Sequence, residues 1–548
     1  MTQIAKPRIR VRADGTIPRQ AALFGLQGRD SARHDVSEFS GWAPRINFAG
    51  TNYSREWETI TGRARNLDEN NGWINGAIDR RVEAVLGVNI RLSAQPMIEL
   101  LNRDYDWRMQ WTADVQSRFS VWSNDIEHRS DARQRLSFGA IAKLAYLGYV
   151  RDGEVVAEVR DNRRGLANTT NILLVEPERI STPPELGAEE GPMLRGGIKM
   201  DANGAPVGYY VRSGHPSDPA ANYDKQRWDY IPTRGRTGRP KFIHLFSPRR
   251  AEQNRGISRL SEVMVPAKML DRVDRAEVNA ALKSALFSLF IKSPGSTEDL
   301  ESALSQAPSG SEASLDPWIE AYIQHRNTNP VMVAGAQVTH LLPDEDVITP
   351  ERSSPNSNYP EFARFILQKV AGSIGISYPQ LSQDWAGINY SSARALLNEM
   401  WRSFKEDRHF FCQHFLTPIY SAWLEVEVAL GTIKVPGGPA NFYRNKTAIC
   451  MAEWIGPGRG SVDPLKEASA NNLDTAAGRK STVECILETG RDPNDVMAEE
   501  QWMAGERERR GLPTLNHNVK PDASSEADGS EEETAPIKPS KSRQEKMA

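Results

Sequence analysis

The residue types able to do chemistry are few, and their spacing is wrong for it. Of the nine histidines in the chain, His409 and His414 stand nearest to a metal-binding pair. Five residues apart on a helix they point roughly 140° away from each other, whereas HExxH chemistry needs two histidines four apart on one face. They read as two positions on an amphipathic helix surface. Gly456–Gly460 (GPGRG) has the glycine content of a phosphate cradle but neither the four-residue interval nor the Gly-Lys-Ser/Thr that completes a P-loop, so it reads as a plain loop. There is no GxSxG nucleophile elbow. Asp344 and Asp346, in LPDEDVITP, could hold a divalent cation in a nuclease. No further ligands surround them, and they read as solvated loop charges. The three cysteines, Cys412, Cys450 and Cys485, lack CxxC or any other metal-ligand interval, which disfavours zinc and a disulfide framework and suits a reducing compartment. The expectation is no catalytic residue, no cofactor and no metal, and what remains is architecture.

At 548 residues the chain exceeds one hydrophobic core and should divide into two to four units. Apolar residues at 39% and charged residues at 25% are ordinary globular usage. A formal charge of −3 does not suit a protein that grips a polyanion by counterion release, so nucleic-acid contact should be local or weak. The N-terminus, MTQIAKPRIRVRADG, alternates basic residues without an apolar h-region, and no run of 18 apolar residues occurs. Secretion and membrane spanning are not expected.

The elements that would have to position any site are more legible. Residues 1–60 mix Gly, Pro, Ser and aromatics without period and read as an arm that packs late or against a neighbour. Ile74, Ala77, Ile78, Val82, Val85 and Leu86 recur at helical spacing, Gly87 sits where a C-cap belongs, and a strand should follow over Val88–Leu92. DYDWRMQWTADVQSRFSVWSN and SFGAIAKLAYLGYV predict two helices, GEVVAEVRDN and TNILLVEPERI two strands, and Asn203-Gly204 a tight turn between strands. The fold class is α+β. From Ser258 to Leu289 one stripe (Leu260, Val263, Met264, Ala267, Leu270, Val273, Ala281, Leu282, Ala285) predicts a helix roughly 48 Å long. Ser258 is its N-cap and Pro266 a kink or restart. A β-containing excursion (FSLFIK, then NPVMVAGAQVTHLLP) leads to a second helix with Phe362, Phe365, Ile366, Lys369 and Val370, ending near Gly372 or Gly375. After the loop YPQLSQDWAGINYSS comes a helix from Asn389 to Gly431. Its aromatics, Phe404, Phe410, Phe411, Phe415, Tyr420 and Trp423, cover more than one face and call for burial from several directions, a neighbouring copy included. Beyond it, polar helices should be capped by Asp463 and Ser481. From Pro513 the composition turns to Ser, Glu, Asp, Pro and Lys and reads as a disordered tail.

Several of these stretches together resemble the lambda family of bacteriophage portal proteins. They are RARNLDENNGWINGAIDRRVEAVLGVNIRL, GYYVRSGHP, HLFSPRRAEQNRGISRLSEVM, GISYPQLSQDWAGINYSSARALLNEMWRSF and VDPLKEASAN, and they fall in order between about residues 60 and 500. The resemblance implies a portal fold, mainly helical, with a wing, a stem of long helices, a small β-containing clip and a helical crown. In order along the chain it implies an N-terminal arm (1–60), an α+β wing (61–255), a first stem helix (256–289), the clip (290–345) and a second stem helix (346–376). A tunnel loop (377–392), a long helix and wing return (393–459), a crown (460–512) and the tail (513–548) complete it. Gln383, Asp384, Trp385 and Asn389 would then line the channel, and Leu260, Met264, Leu270 and Val273 would belong to the stem. The implied function is non-enzymatic: a homododecameric ring at one capsid vertex through which double-stranded DNA passes without sequence readout. Its partners would be further copies of itself, the terminase large subunit, head-completion or adaptor proteins and a major capsid or scaffold protein. No membrane is involved, and the place would be the virion, reached from the host cytoplasm. A duplex carries a negative charge every roughly 1.7 Å, so a loop without lysine suits sliding better than a basic ring. A metal-dependent DNA-processing enzyme built on Asp344 and Asp346, or another head-tail connector or minor capsid protein, are the alternatives.

Overall fold

The computed structural model describes residues 46, 48–161, 168–189, 191–218, 227–286, 324, 332–333, 336–337, 358–386, 388–460 and 463–513. Helix α1 (Ala49–Asn70) starts inside the stretch expected to be an arm, because Trp57, Thr61, Ala64 and Leu67 supply a buried face. Asn71 then breaks and restarts the chain, its side chain accepting from the Ile74 N–H at 3.0 Å to cap α2 (Gly72–Leu86). Gly87, at φ 68°, ends α2. The strand expected at Val88–Leu92 lies instead at β1 (Arg91–Ala94), and Val88 is exposed. Its position is set by β11 (Ala452–Ile455), which pairs with it antiparallel from Arg91↔Ile455 to Ala94↔Ala452. No local pattern could announce a partner so far along the chain.

Helices α3 (Tyr105–Ser123) and α4 (Phe138–Arg151) fall where their periodicity put them, capped by Asp104 and Ser137. Strands β2 (Glu154–Asp161), β3 (Thr170–Val175) and β8 (Phe242–Phe246) form one antiparallel sheet in the order β3-β2-β8. A second has β4 (Leu194–Arg195), β5 (Ile198–Met200), β6 (Pro206–Arg212) and β7 (Trp228–Pro232) in sequence order. The Asn203-Gly204 turn joins β5 to β6 as expected, with Gly204 at φ 80°.

The expected helix from Ser258 begins later. Ser258 caps only a 3₁₀ turn over Arg259–Glu262, and α5 (Met264–Leu286) restarts after it with Pro266 in the first turn, where its missing N–H costs nothing. Of the excursion that follows, the described part is a short antiparallel hairpin of β9 (Met332–Val333) and β10 (Ala336–Gln337). FSLFIK, Asp344, Asp346 and residues 514–548 lie outside the described residues. Helix α6 (Tyr359–Ile374) returns antiparallel to α5. The Tyr359 hydroxyl donates to Asp274 at 2.5 Å near one end, and the Ser373 hydroxyl to the Arg259 carbonyl at 2.9 Å near the other.

Gly375, at φ 77°, ends α6, and Ser377 opens the short helix α7 (Tyr378–Ser382) with a capping box. Helix α8 (Tyr390–Phe411) follows, then a π-helical turn (Cys412–Leu416) and α9 (Thr417–Leu430), closed by Gly431 at φ 75°. Of the expected loop 377–392, residues 378–382 and 390–392 are therefore helical. The aromatics of α9 fill the main core: Phe119 meets Trp423 edge to face at 5.1 Å, and Trp122 lies tilted beside it at 6.3 Å. Phe411, Phe415, Tyr420 and Trp423 are all fully buried within this one chain, so no neighbouring copy is needed to cover them. The last helices, α10 (Pro464–Ala476), α11 (Thr482–Glu488) and α12 (Pro493–Arg509), are polar and have no buried residue. Asp463 and Ser481 cap them as their positions predicted. The architecture is α+β, with antiparallel sheets beside a largely helical chain.

Candidate functional site

Between α7 and α8 the chain is exposed and self-braced. Gln383 closes α7 in the left-handed region at φ 58°. With its amide oxygen turned towards α2, it accepts from both terminal nitrogens of Arg80. The Asp384 carboxylate accepts from the Ala386 N–H at 3.0 Å, and the Asp384 N–H donates to the Ser382 hydroxyl at 3.2 Å. Trp385 is 45% exposed at the edge of a cavity of about 600 Å³ that Arg80, Glu83, Pro379 and Phe404 also line. Three of the four residues expected to line the channel thus stand together on one exposed turn. Asn389 is exposed too, but its side-chain oxygen accepts from the Ser392 N–H at 2.8 Å as the N-cap of α8, so its first role is to start the helix.

Directly behind this turn lies a buried ionic joint. Arg81, 1% exposed, donates to the Gly375 carbonyl at 2.7 Å and pairs with Asp407 on α8. Asp407 also receives Arg259 at 3.1 Å and the Tyr146 hydroxyl at 3.2 Å. Burial works to raise the Asp407 carboxyl, but the charges of Arg81 and Arg259 outweigh it and hold the group below its ordinary value. A Cβ on Gly375 would sit 2.3 Å from the Arg81 guanidinium, so only glycine lets that arginine reach the end of α6. One cluster therefore ties α2, α4, the entry to α5, the exit of α6 and the C-terminal part of α8. Sequence reasoning missed these residues. The available signal was an arginine at 81 on the stripe Ala77, Ile78, Val82, Val85, where a charge must have a buried partner.

The residues expected in the stem lie at the start of α5 and in the 3₁₀ turn before it. Leu260, Met264 and Leu270 are buried in the main core and Val273 is half-buried, because the start of α5 is held against α1 and α6. They anchor the start of the helix. Outward, α5 exposes Val265, Met269, Val278 and Leu282, α6 exposes Phe362 and Phe365, and the first turns of α8 are at most half-buried. His409 and His414 are exposed, and His414 Nδ1 meets the Phe410 carbonyl at 2.8 Å. The two do not combine. Cys412 and Cys450 are buried, and burial pushes both thiols well up, Cys450 to about 12. Glu176, Glu178 and His215 gather close enough to hold a cation, yet the Arg65 guanidinium already occupies both oxygens of Glu178. Gly456–Gly460 is a loop, and Gly458 passes so near the Thr489 backbone that a Cβ would clash at 2.4 Å.

The family model of the phage portal protein, lambda family, matches residues 36–408, well over half of the chain. The chain belongs to that family. It is 28% identical to the portal protein of Escherichia phage N15 over 90% of this chain and 94% of that protein. It is 27% identical to portal protein B of Escherichia phage lambda over 91% and 94%, and 24% identical to a probable portal protein of Halomonas phage phiHAP-1 over 86% of each. Among solved structures, a chain in the neck of an empty gene transfer agent (GTA) particle, computed with C6 symmetry, aligns at TM-score 0.40 and 14% identity over 86% of this chain and 95% of that one. In this portal-family chain the matched segment takes in α1 to α7, most of α8, the exposed turn and the whole Arg81–Asp407 joint. It ends before the π-helical turn.

Proposed function

We propose that identical copies close into a ring, twelve in number by family resemblance, and that the α5–α6 pair of each copy forms part of the wall of an axial channel for double-stranded DNA. The supporting observation is an antiparallel helix pair locked into the wing core at one end and uncovered at the other. Val278 and Leu282 on α5 and Phe365 on α6 are each more than half exposed. Isolated apolar residues on a surface need no explanation, but a matched pair of helices with one face open does, and side-by-side copies cover it. The turn 383–389, with Gln383, Asp384 and Trp385, then projects towards the axis. It carries no cation at its tip, so passing phosphate is not captured. DNA contact is non-specific. The excursion around β9 and β10 serves as the clip, docking site of the terminase large subunit and then of head-completion or adaptor proteins, and the wing meets the major capsid or scaffold protein. The protein is non-enzymatic and ends in the virion at the portal vertex, assembled in the host cytoplasm.

Sedimentation or native mass measurement of the purified chain tests this. The expected species has about twelve times the 61.1 kDa of one chain, with a central hole in projection. A solitary chain at every concentration, and alongside its capsid partners, would refute the ring.

A further inference from the structure

Two consecutive arginines on α2 hold one connecting segment at its two ends. Arg81 donates to the carbonyl of Gly375, where α6 stops, and Arg80 donates to the side-chain oxygen of Gln383, where α7 stops. Helix ends leave carbonyl groups without partners and favour a positive charge beside them. Between these two points the segment is seated: Ile376, Pro379 and Leu381 are buried, and Ser377 closes its capping box.

At Gln383 the seating stops. Gln383, Asp384, Trp385 and Ala386 are all exposed, and beside them opens the cavity of about 600 Å³ lined by Arg80, Glu83, Ile376, Pro379, Trp385 and Phe404. A space of that size elsewhere takes a whole small-molecule ligand, so the Trp385 indole fits inside it, and burial against Ile376, Pro379 and Phe404 would favour its entry. Packing therefore does not set where the turn points. The bonds from the Ala386 N–H to Asp384 and from the Asp384 N–H to Ser382 shape the turn without tying it to another element. The side-chain bond that does so runs from Arg80 to Gln383. Among the described residues Arg80 has no carboxylate partner, although Glu83 lines the same cavity. Gln383 meanwhile stands at φ 58°, a conformation that a residue with a Cβ keeps only when its surroundings hold it there.

We propose that Arg80 is the positioning residue of the exposed turn: it holds Gln383, and with it Asp384 and Trp385, out from the body of the chain. Without it the turn folds back and Trp385 enters the cavity. The consequence for passing DNA rests on the channel reading above; the hold of Arg80 on the turn does not.

Hydrogen–deuterium exchange at short labelling times on the full chain tests this, with Arg80→Met, Gln383→Glu and the two combined. It is read at the amides of residues 383, 384 and 386, each hydrogen-bonded in the structure. Arg80→Met should exchange about tenfold faster there, the scale of one hydrogen bond. Gln383→Glu turns the bond into a charge-assisted one, roughly twice as strong, and should exchange more slowly than wild type. With Arg80→Met in place the same change should give no slowing, a dependence that a general loosening of the fold would not produce. Acrylamide quenching of the fluorescence that Trp385→Phe removes should fall in Arg80→Met, as the indole becomes covered. Unchanged exchange in Arg80→Met, equal slowing by Gln383→Glu with and without Arg80, or a Trp385 as open to quencher as in wild type would each overturn the proposal. An Arg80→Met chain whose turn exchanges freely and which still packages DNA supports the hold of Arg80 and counts against the channel reading instead.

Discussion

Asp407→Asn tests whether the buried joint behind the exposed turn holds the molecule together. The substitution keeps the shape of the side chain and removes the charge that Arg81 and Arg259 share. Arg259, about a quarter exposed, can turn to water. Arg81, 1% exposed, cannot, and its remaining bond to the Gly375 carbonyl does not neutralise it. Removing one member of a buried pair while its partner stays charged costs about 3–5 kcal/mol. At about 2–4 °C per kcal/mol for a unit of this size, the melting midpoint should fall by about 6–20 °C. Differential scanning fluorimetry of the purified chain at neutral pH reads that shift directly. The double variant Arg81→Met with Asp407→Leu separates the cost of an orphaned charge from loss of the site itself. Filling the same space with apolar side chains should recover most of the loss. A midpoint for Asp407→Asn within about 2 °C of wild type would refute the reasoning, because Arg81 would then have to be reaching water that the structure does not offer it.

Glu154 predicts an acid limit. Burial acts to raise its carboxyl, but Arg255 and His244 hold it down at about 2 against an ordinary 4.5. Its contribution is therefore complete above pH about 4.5 and is lost as the pH falls towards 2. The slope of stability against pH in that window should flatten in Glu154→Gln, as followed by the denaturant midpoint at several pH values. Gly153→Ala should cost more than about 1 kcal/mol by the same midpoint, since Gly153 is at φ 88° and a Cβ would lie 2.1 Å from the Ile257 backbone carbon; full stability there would contradict the packing. Asp384→Lys with Trp385→Lys should leave the oligomer mass unchanged yet stall DNA packaging, because a basic ring would hold phosphate. Normal packaging by that variant would remove the turn from the channel.

What the sequence made legible follows how far each determinant lies from its effect. Caps and turns, at Ser481, Asp463, Gly375 and Asn203-Gly204, were readable because the groups that decide them lie within a few residues. β1 was misplaced because its partner β11 lies far along the chain, and the onset of α5 because Ser258 caps a 3₁₀ turn equally well. The long aromatic helix shows a subtler limit. Phe411 and Cys412, Phe415 and Leu416, Ile419 and Tyr420, and Trp423 and Leu424 are buried pairs, each four residues from the last. In a regular helix that interval drifts by about 40° a step, so the residues look spread over several faces and invite a neighbour to cover them. The π-helical turn over Cys412–Leu416 holds more residues per turn and absorbs part of the drift, bringing the pairs into the wing core of one chain. The exposed apolar positions are elsewhere, on the outer half of α5, on Phe362 and Phe365 of α6, and on the first turns of α8. There the apolar periodicity persists, and no other described residue covers it.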